Sequence, residues 1–205
     1  ANRFVKGDLE SIEAALTGAR HIMAEWMNEN AALRSALRKL FMREAELTSK
    51  IIKGKDEEGE KFKDYFKFDE RIERMPSHRF LAVLRGENEG ILRVGVAPDS
   101  ENAVGLLQRF FIKGDNESSA QVELACSDAY KRLLQPSLES EMRKHCKQKA
   151  DEKAINIFAS NLKELLMAAP VGQKRTLAID PGFRTGCKVV CLSAEGDLLH
   201  NETIY

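Results

Sequence analysis

Around Pro170 the apolar residues change their period, and that change limits the fold more than any other feature of the sequence. Up to about residue 169 they recur every three or four positions, the repeat of one helix face. From Thr176 onward they run in short extended stretches broken by turn residues. The chain therefore divides into a helical region over 1–170, a linker over 171–175, and a strand-forming segment over 176–205.

Within the helical region, Asp8 is the expected cap of a first helix whose inner face carries Leu9, Ile12, Leu16, Ala19, Met23 and Trp26, with Trp26 in the core. Asn28 or Asn30 caps a second helix, with Leu33, Leu37, Leu40 and Phe41 inward and Arg34, Arg38 and Arg43 outward, and the two are expected to pair as a hairpin. Residues 50–61, rich in charge and bounded by glycines, read as an exposed loop. Phe62, Phe66, Ile72 and Met75 suggest short helical pieces before Pro76. Ser77 is the expected cap of a helix stopped by Gly86. Leu92, Val94 and Val96 alternate as one face of a strand without an evident partner. A helix from Ser100 to about Lys113 follows, then a long periodic segment over 118–169 that Pro136 is expected to break or kink.

Beyond the linker, Thr176–Asp180 reads as a buried-type strand, 181–186 as a turn, 187–193 as a second strand, 194–197 as a turn and 198–205 as a third. Such a meander is only the beginning of a sheet, so the expectation is a domain cut short by the end of the sequence.

Thirty-two basic and thirty-two acidic side chains leave no net charge, so no overall field draws this chain to nucleic acid or an anionic membrane, and binding has to come from a local patch. The four cysteines lack zinc-site spacing. Cys187 and Cys191 lie roughly 13 Å apart along one strand at about 3.3 Å per residue, too far to bond to each other. With no signal peptide, no membrane-length apolar run and no disulfide framework, a cytoplasmic location is expected, with no cofactor and no metal.

The most informative segment is Leu177-Ala-Ile-Asp-Pro-Gly-Phe-Arg-Thr-Gly186. Asp180 ends a strand at a sharp Pro-Gly turn, where a carboxylate can either open the turn or serve as one ligand of a Mg²⁺ site in phosphodiester hydrolysis. One carboxylate is not enough for that chemistry. Gly182, Thr185 and Gly186 offer a weaker alternative, an anion nest of a nucleotidase, with no P-loop to support it. Arg184 and Lys188, beside Asp180, are the candidate nucleic-acid contacts. Arg34, Arg38, Lys39 and Arg43 could face phosphates, although a solvated helix surface is the simpler reading. Lys50, Lys53, Lys55, Lys61 and Lys63 are interleaved with acids that would repel phosphate, which favours a structural loop. His78, in the first turn of a helix, reads as structural.

Ile179-Asp-Pro-Gly-Phe-Arg-Thr-Gly186, with Lys188 and Val189, resembles the opening of the RuvC/YqgF-like, RNase H-fold domain of the Tex family of bacterial transcription accessory proteins. The stretch from Ser49 to Phe66, Pro76-Ser-His-Arg79, Leu84-Arg-Gly86 and Phe158 to Leu166 resemble the same family in the same order. The resemblance implies a mainly α chain, a helical scaffold followed by the first strands of an incomplete RNase H-like α/β domain. It also implies a longer protein that engages RNA or single-stranded nucleic acid and the transcription machinery through other modules. Asp180 then aligns with the first metal-binding carboxylate of active RuvC-type nucleases, whose further acidic ligands would lie downstream of Tyr205.

Overall fold

The computed structural model describes residues 11–182 and 184–205, and the chain forms two compact units, Ala1–Ile157 and Phe158–Tyr205. The expected cap Asp8 and the apolar Leu9 lie outside the described residues. Helix α1, Ile12–Glu29, is capped by Ser11, whose hydroxyl oxygen accepts the Ala14 N–H at 3.1 Å. A single residue then turns the chain. Asn30 donates its N–H to Met27 O to close α1, and its side chain accepts the Leu33 N–H at 2.8 Å to open α2, Ala31–Glu44.

Leu33, Leu37 and Phe41 of α2 are fully buried, on the face the spacing predicts. The inner face of α1 is rotated from expectation. Ala24 and Met27 are buried, whereas Ile12 is 45% and Trp26 67% exposed, so Trp26 is not a core residue. The cause is the choice of neighbour: α1 packs mainly against α5, Glu117–Asp128, and the turn after it rather than against α2. The small Ala24 lets the backbones approach there, and Arg20 reaches across to Gln121 Oε1 at 2.8 Å.

Two strands stand where the sequence suggests loop and helix. β1, Glu46–Ile51, lies between β2, Lys67–Arg71, and β3, Leu92–Ala97, in an antiparallel sheet of order β2-β1-β3. β1 supplies the missing partner of β3, with Leu47 opposite Val96 and Ser49 opposite Val94. The alternation of β1 is hidden because one of its two inward residues is polar: Ser49 is 1% exposed, and its hydroxyl donates to Tyr65 O at 2.6 Å. Lys50 and Ile51 belong to this strand and not to the loop. Of the expected helical pieces before Pro76, only Glu60–Tyr65 forms, as a 3₁₀ turn.

Helix α3, Ser77–Asn88, starts after Pro76, with Ser77 its first residue and no side-chain cap. It runs through Gly86, which is inside the helix because Leu92 packs against it: a Cβ there would lie 2.6 Å from Leu92 Cδ1. The stop comes at Gly90, whose φ of +71° reverses the chain into β3. Helix α4, Ser100–Phe111, is capped by Asp99, whose carboxylate accepts the Glu101 and Asn102 N–H groups at 2.9 and 3.0 Å.

Pro136 does not break the long helical segment. A π-helical stretch, Ala129–Leu134, joins α5 to α6, Gln135–Leu166, and the proline falls in the first turn of α6. The Gln135 N–H bonds five residues back to Tyr130 O, so a wider turn lies immediately before the proline ring and the helix continues through it. α6 also closes the outer edge of the sheet. Glu139 Oε1 accepts the Val96 N–H at 2.9 Å, and Arg143 donates to Val94 O at 3.4 Å while pairing with Glu87 of α3.

In the second unit, β4, Thr176–Asp180, β5, Cys187–Leu192, and β6, Leu198–Ile204, form the antiparallel meander expected, in that order. β4 is not buried, however: Leu177 and Ile179 are 63% and 57% exposed. The chain as a whole is mainly α, with a small antiparallel sheet at its C-terminal end.

Candidate nucleic-acid interface

The β4–β5 pairing places Asp180 directly opposite Lys188, so acid and base sit side by side on one face of the sheet. The connecting turn closes when Gly182 N–H donates to Gly186 O at 3.2 Å. Both glycines are needed. Gly186 has φ +78° and its Cβ would lie 2.7 Å from Ile204 O, while a Cβ on Gly182 would lie 2.4 Å from Thr185 Oγ1. The Gly182 N–H is spent inside the turn, which weakens the anion-nest reading of Gly182, Thr185 and Gly186. Phe183 lies outside the described residues.

Asp180, Arg184 and Lys188 are all exposed and share this one hairpin. None of them forms an ion pair within 4.0 Å among the described residues. No group of three or more His, Cys, Asp and Glu side chains able to hold a metal occurs among the described residues. Asp180 lies opposite a lysine rather than a second carboxylate, so the described residues by themselves do not supply the donor set of a two-metal phosphodiesterase centre.

The other sequence candidates divide by partner. Arg34 donates to Asn28 Oδ1 at 3.0 Å and to Ser137 Oγ at 2.8 Å; Arg38 donates to Glu141 at 2.6 Å. That hydrogen bond and the attached charge lower the Glu141 pKa and raise that of Arg38. These two arginines fasten α2 to α6. In the Lys-rich loop, Lys55 pairs with Glu58, and Lys61 pairs with Glu89 while lying over the Phe62 ring. His78 is exposed on α3.

Cys126 and Cys146 are poorly placed as nucleophiles. Burial pushes the Cys126 thiol up to about 11, with the Glu123 charge adding to it, and raises Cys146 as well. One basic cluster is only partly legible in the sequence, which offers Lys39 and Arg43 but not Arg109. Lys39 and Arg43 of α2 and Arg109 of α4 line a groove of about 330 Å³. The four-residue spacing of Lys39 and Arg43 is visible in the sequence, but the arrival of Arg109 depends on how α4 docks.

Comparison with known proteins gives concordant matches. Residues 1–158 match the Tex central region-like family model, and residues 174–205 match the Tex protein YqgF-like domain. The Transcriptional accessory protein Tex of Neisseria gonorrhoeae is 39% identical over the whole chain, and Protein tex of Bordetella pertussis is 35% identical over 98% of it. S1 RNA-binding domain-containing protein 1 of Homo sapiens is 29% identical over 98%. The alignments cover 28%, 27% and 21% of those three proteins, so the chain spans about a quarter of their length.

Proposed function

The chain belongs to the Tex family, and on that premise we propose that it acts as an architectural segment of a nucleic-acid-binding transcription accessory protein. In this reading the helical unit is a scaffold for the YqgF-like, RNase H-like domain and for RNA-binding modules elsewhere in the longer protein. The observation that carries it is the match of residues 1–158 to the family's central region, resumed at residue 174 by the YqgF-like domain. The physical character of the unit supports it. One continuous core joins α1 to α6, and most arginines on α2 and α6 tie element to element rather than converge on a reaction centre. The names of the relatives support RNA as the eventual ligand and transcription as the setting; a single-stranded ligand and a cytoplasmic compartment are part of the same proposal. No helix among the described residues is long and apolar enough to cross a membrane.

The scaffold reading assigns this chain no catalytic step. The alternative is a metal-dependent RuvC-like nuclease in the full-length protein, and one observation favours it: Asp180 stands exposed at the end of β4, with no ion-pair partner among the described residues. The two part on a cleavage assay with full-length protein, single-stranded RNA and branched DNA in Mg²⁺. The scaffold reading expects wild type and Asp180→Asn to be equally inert. Cleavage that disappears in Asp180→Asn would establish the nuclease.

A further inference from the structure

The basic residues of α2 have different partners. Arg34 and Arg38 are turned onto α6, but Lys39 and Arg43 face α4, which brings Arg109 across the groove from them. Lys39 and Arg109 have no ion-pair partner among the described residues. Among the described residues Arg43 pairs only with its neighbour Glu44, at 2.6 Å, and with Arg43 72% exposed that pair is weak. Asn102 lines the same wall, its amide donating to Glu44 Oε2 at 3.5 Å. Three cations against one carboxylate is a local excess in a chain without net charge.

We propose that the groove between α2 and α4 is a docking site for the phosphodiester backbone of nucleic acid, held by Lys39, Arg43 and Arg109. The inference rests on the nucleic-acid reading above and adds a contact within the helical unit, apart from the β4–β5 hairpin. Two guanidinium groups can each take phosphate oxygens in pairs, and the lysine supplies a mobile point charge between them. Lys39 and Arg43 stand about 6 Å apart along the helix axis at 1.5 Å per residue, so they meet successive positions on an extended strand rather than one shared anion. No aromatic side chain lines the groove, so bases gain no stacking platform, and binding is independent of sequence and sensitive to salt. An acidic peptide is a poorer occupant, because the walls offer no buried pocket for an anchoring side chain.

The test is fluorescence anisotropy of the 205-residue chain with a labelled 12-nucleotide oligouridine between 50 and 200 mM NaCl. Each phosphate contact on a single strand contributes about 0.7 to the slope of log K against log salt, so three contribute about 2 and about a 20-fold loss of affinity over that range. Lys39→Gln/Arg43→Gln/Arg109→Gln should flatten the slope by about that amount with an unchanged melting curve. Lys39→Arg/Arg109→Lys should keep the slope. An unchanged slope in the triple variant, no binding by wild type, or equal competition by a poly-glutamate of matched charge would each overturn the proposal. If Arg184→Gln/Lys188→Gln alone flattens the slope, the groove is excluded while the nucleic-acid reading stands. If full-length protein also fails to bind, that reading falls with it.

Discussion

Arg143 is the most exposed test of what holds the helical unit together. Its side chain, 27% accessible, bonds Glu87 of α3, lies 3.9 Å from Glu139 within α6, and donates to the Val94 carbonyl on the open edge of β3. Arg143→Met keeps the apolar stem and removes the charge. Glu87 and Glu139, 28% and 24% exposed, are then left facing each other without a cation. Hydrogen bonds to charged groups contribute about 1.5–3 kcal/mol each, and partial solvent access reduces that, so the expected loss is about 2–3 kcal/mol for the network. For a chain of this size the Tm should fall by about 5–10 °C. Urea unfolding followed by circular dichroism should show a lower midpoint with an unchanged slope. A double-mutant cycle with Glu87→Gln should return a coupling of about 1 kcal/mol or more, because the second change removes one of the two repelling carboxylates. A loss below about 0.5 kcal/mol, or a coupling of zero, would refute the idea that this network fastens α6 to the sheet edge.

Tyr130 is fully buried, and its hydroxyl has no partner among the described residues, so Tyr130→Phe should leave stability unchanged or raise it by about 1 kcal/mol in urea unfolding. Burial, with the charges of Asp99 and Glu139, pushes its phenol up to about 12 from an ordinary 10.0, as burial pushes Cys126 to about 11 from 9.0. Both folded values are raised, so these groups lend their full stability below pH 9 and lose it as pH climbs through 9–12; Tyr130→Phe should flatten the upper part of that decline in a pH titration of the Tm. Gly86→Ala should cost about 1–3 kcal/mol by thermal melting, since its new methyl would press on Leu92. Trp26→Ala should change stability by less than about 0.5 kcal/mol, whereas a core tryptophan would cost about 3–5.

The sequence is legible where one physical signal dominates. α2 and α4 declare themselves by cap and period, and the three C-terminal strands by the turns between them, because glycines at 186 and 196 adopt the positive φ those turns require. β1 and β2 are illegible for a local reason: Ser49 occupies an inward position as a hydrogen-bond donor, and β2 is a charged edge strand with only Phe68 as a large apolar residue. Trp26 misleads because period alone sets an inner face without fixing its rotation, and the partner of α1 proves to be α5. Pro136 misleads because a π-helical turn lies immediately before it and the helix continues through it, which no residue type announces. The candidate hairpin, with Asp180, Arg184 and Lys188, is visible in the sequence. The α2–α4 groove is not, since it needs two helices from distant parts of the chain.

Whether this segment is scaffold more than binding module is decided by the single-stranded RNA affinity of the 205-residue chain, measured beside that of the full-length protein in the same buffer from 50 to 200 mM salt. A scaffold binds far more weakly than the full-length protein, with a shallow salt slope of about 2 from a few phosphate contacts. Equal affinity with an equal, steep slope would place the principal RNA-binding surface within these 205 residues and contradict the scaffold reading.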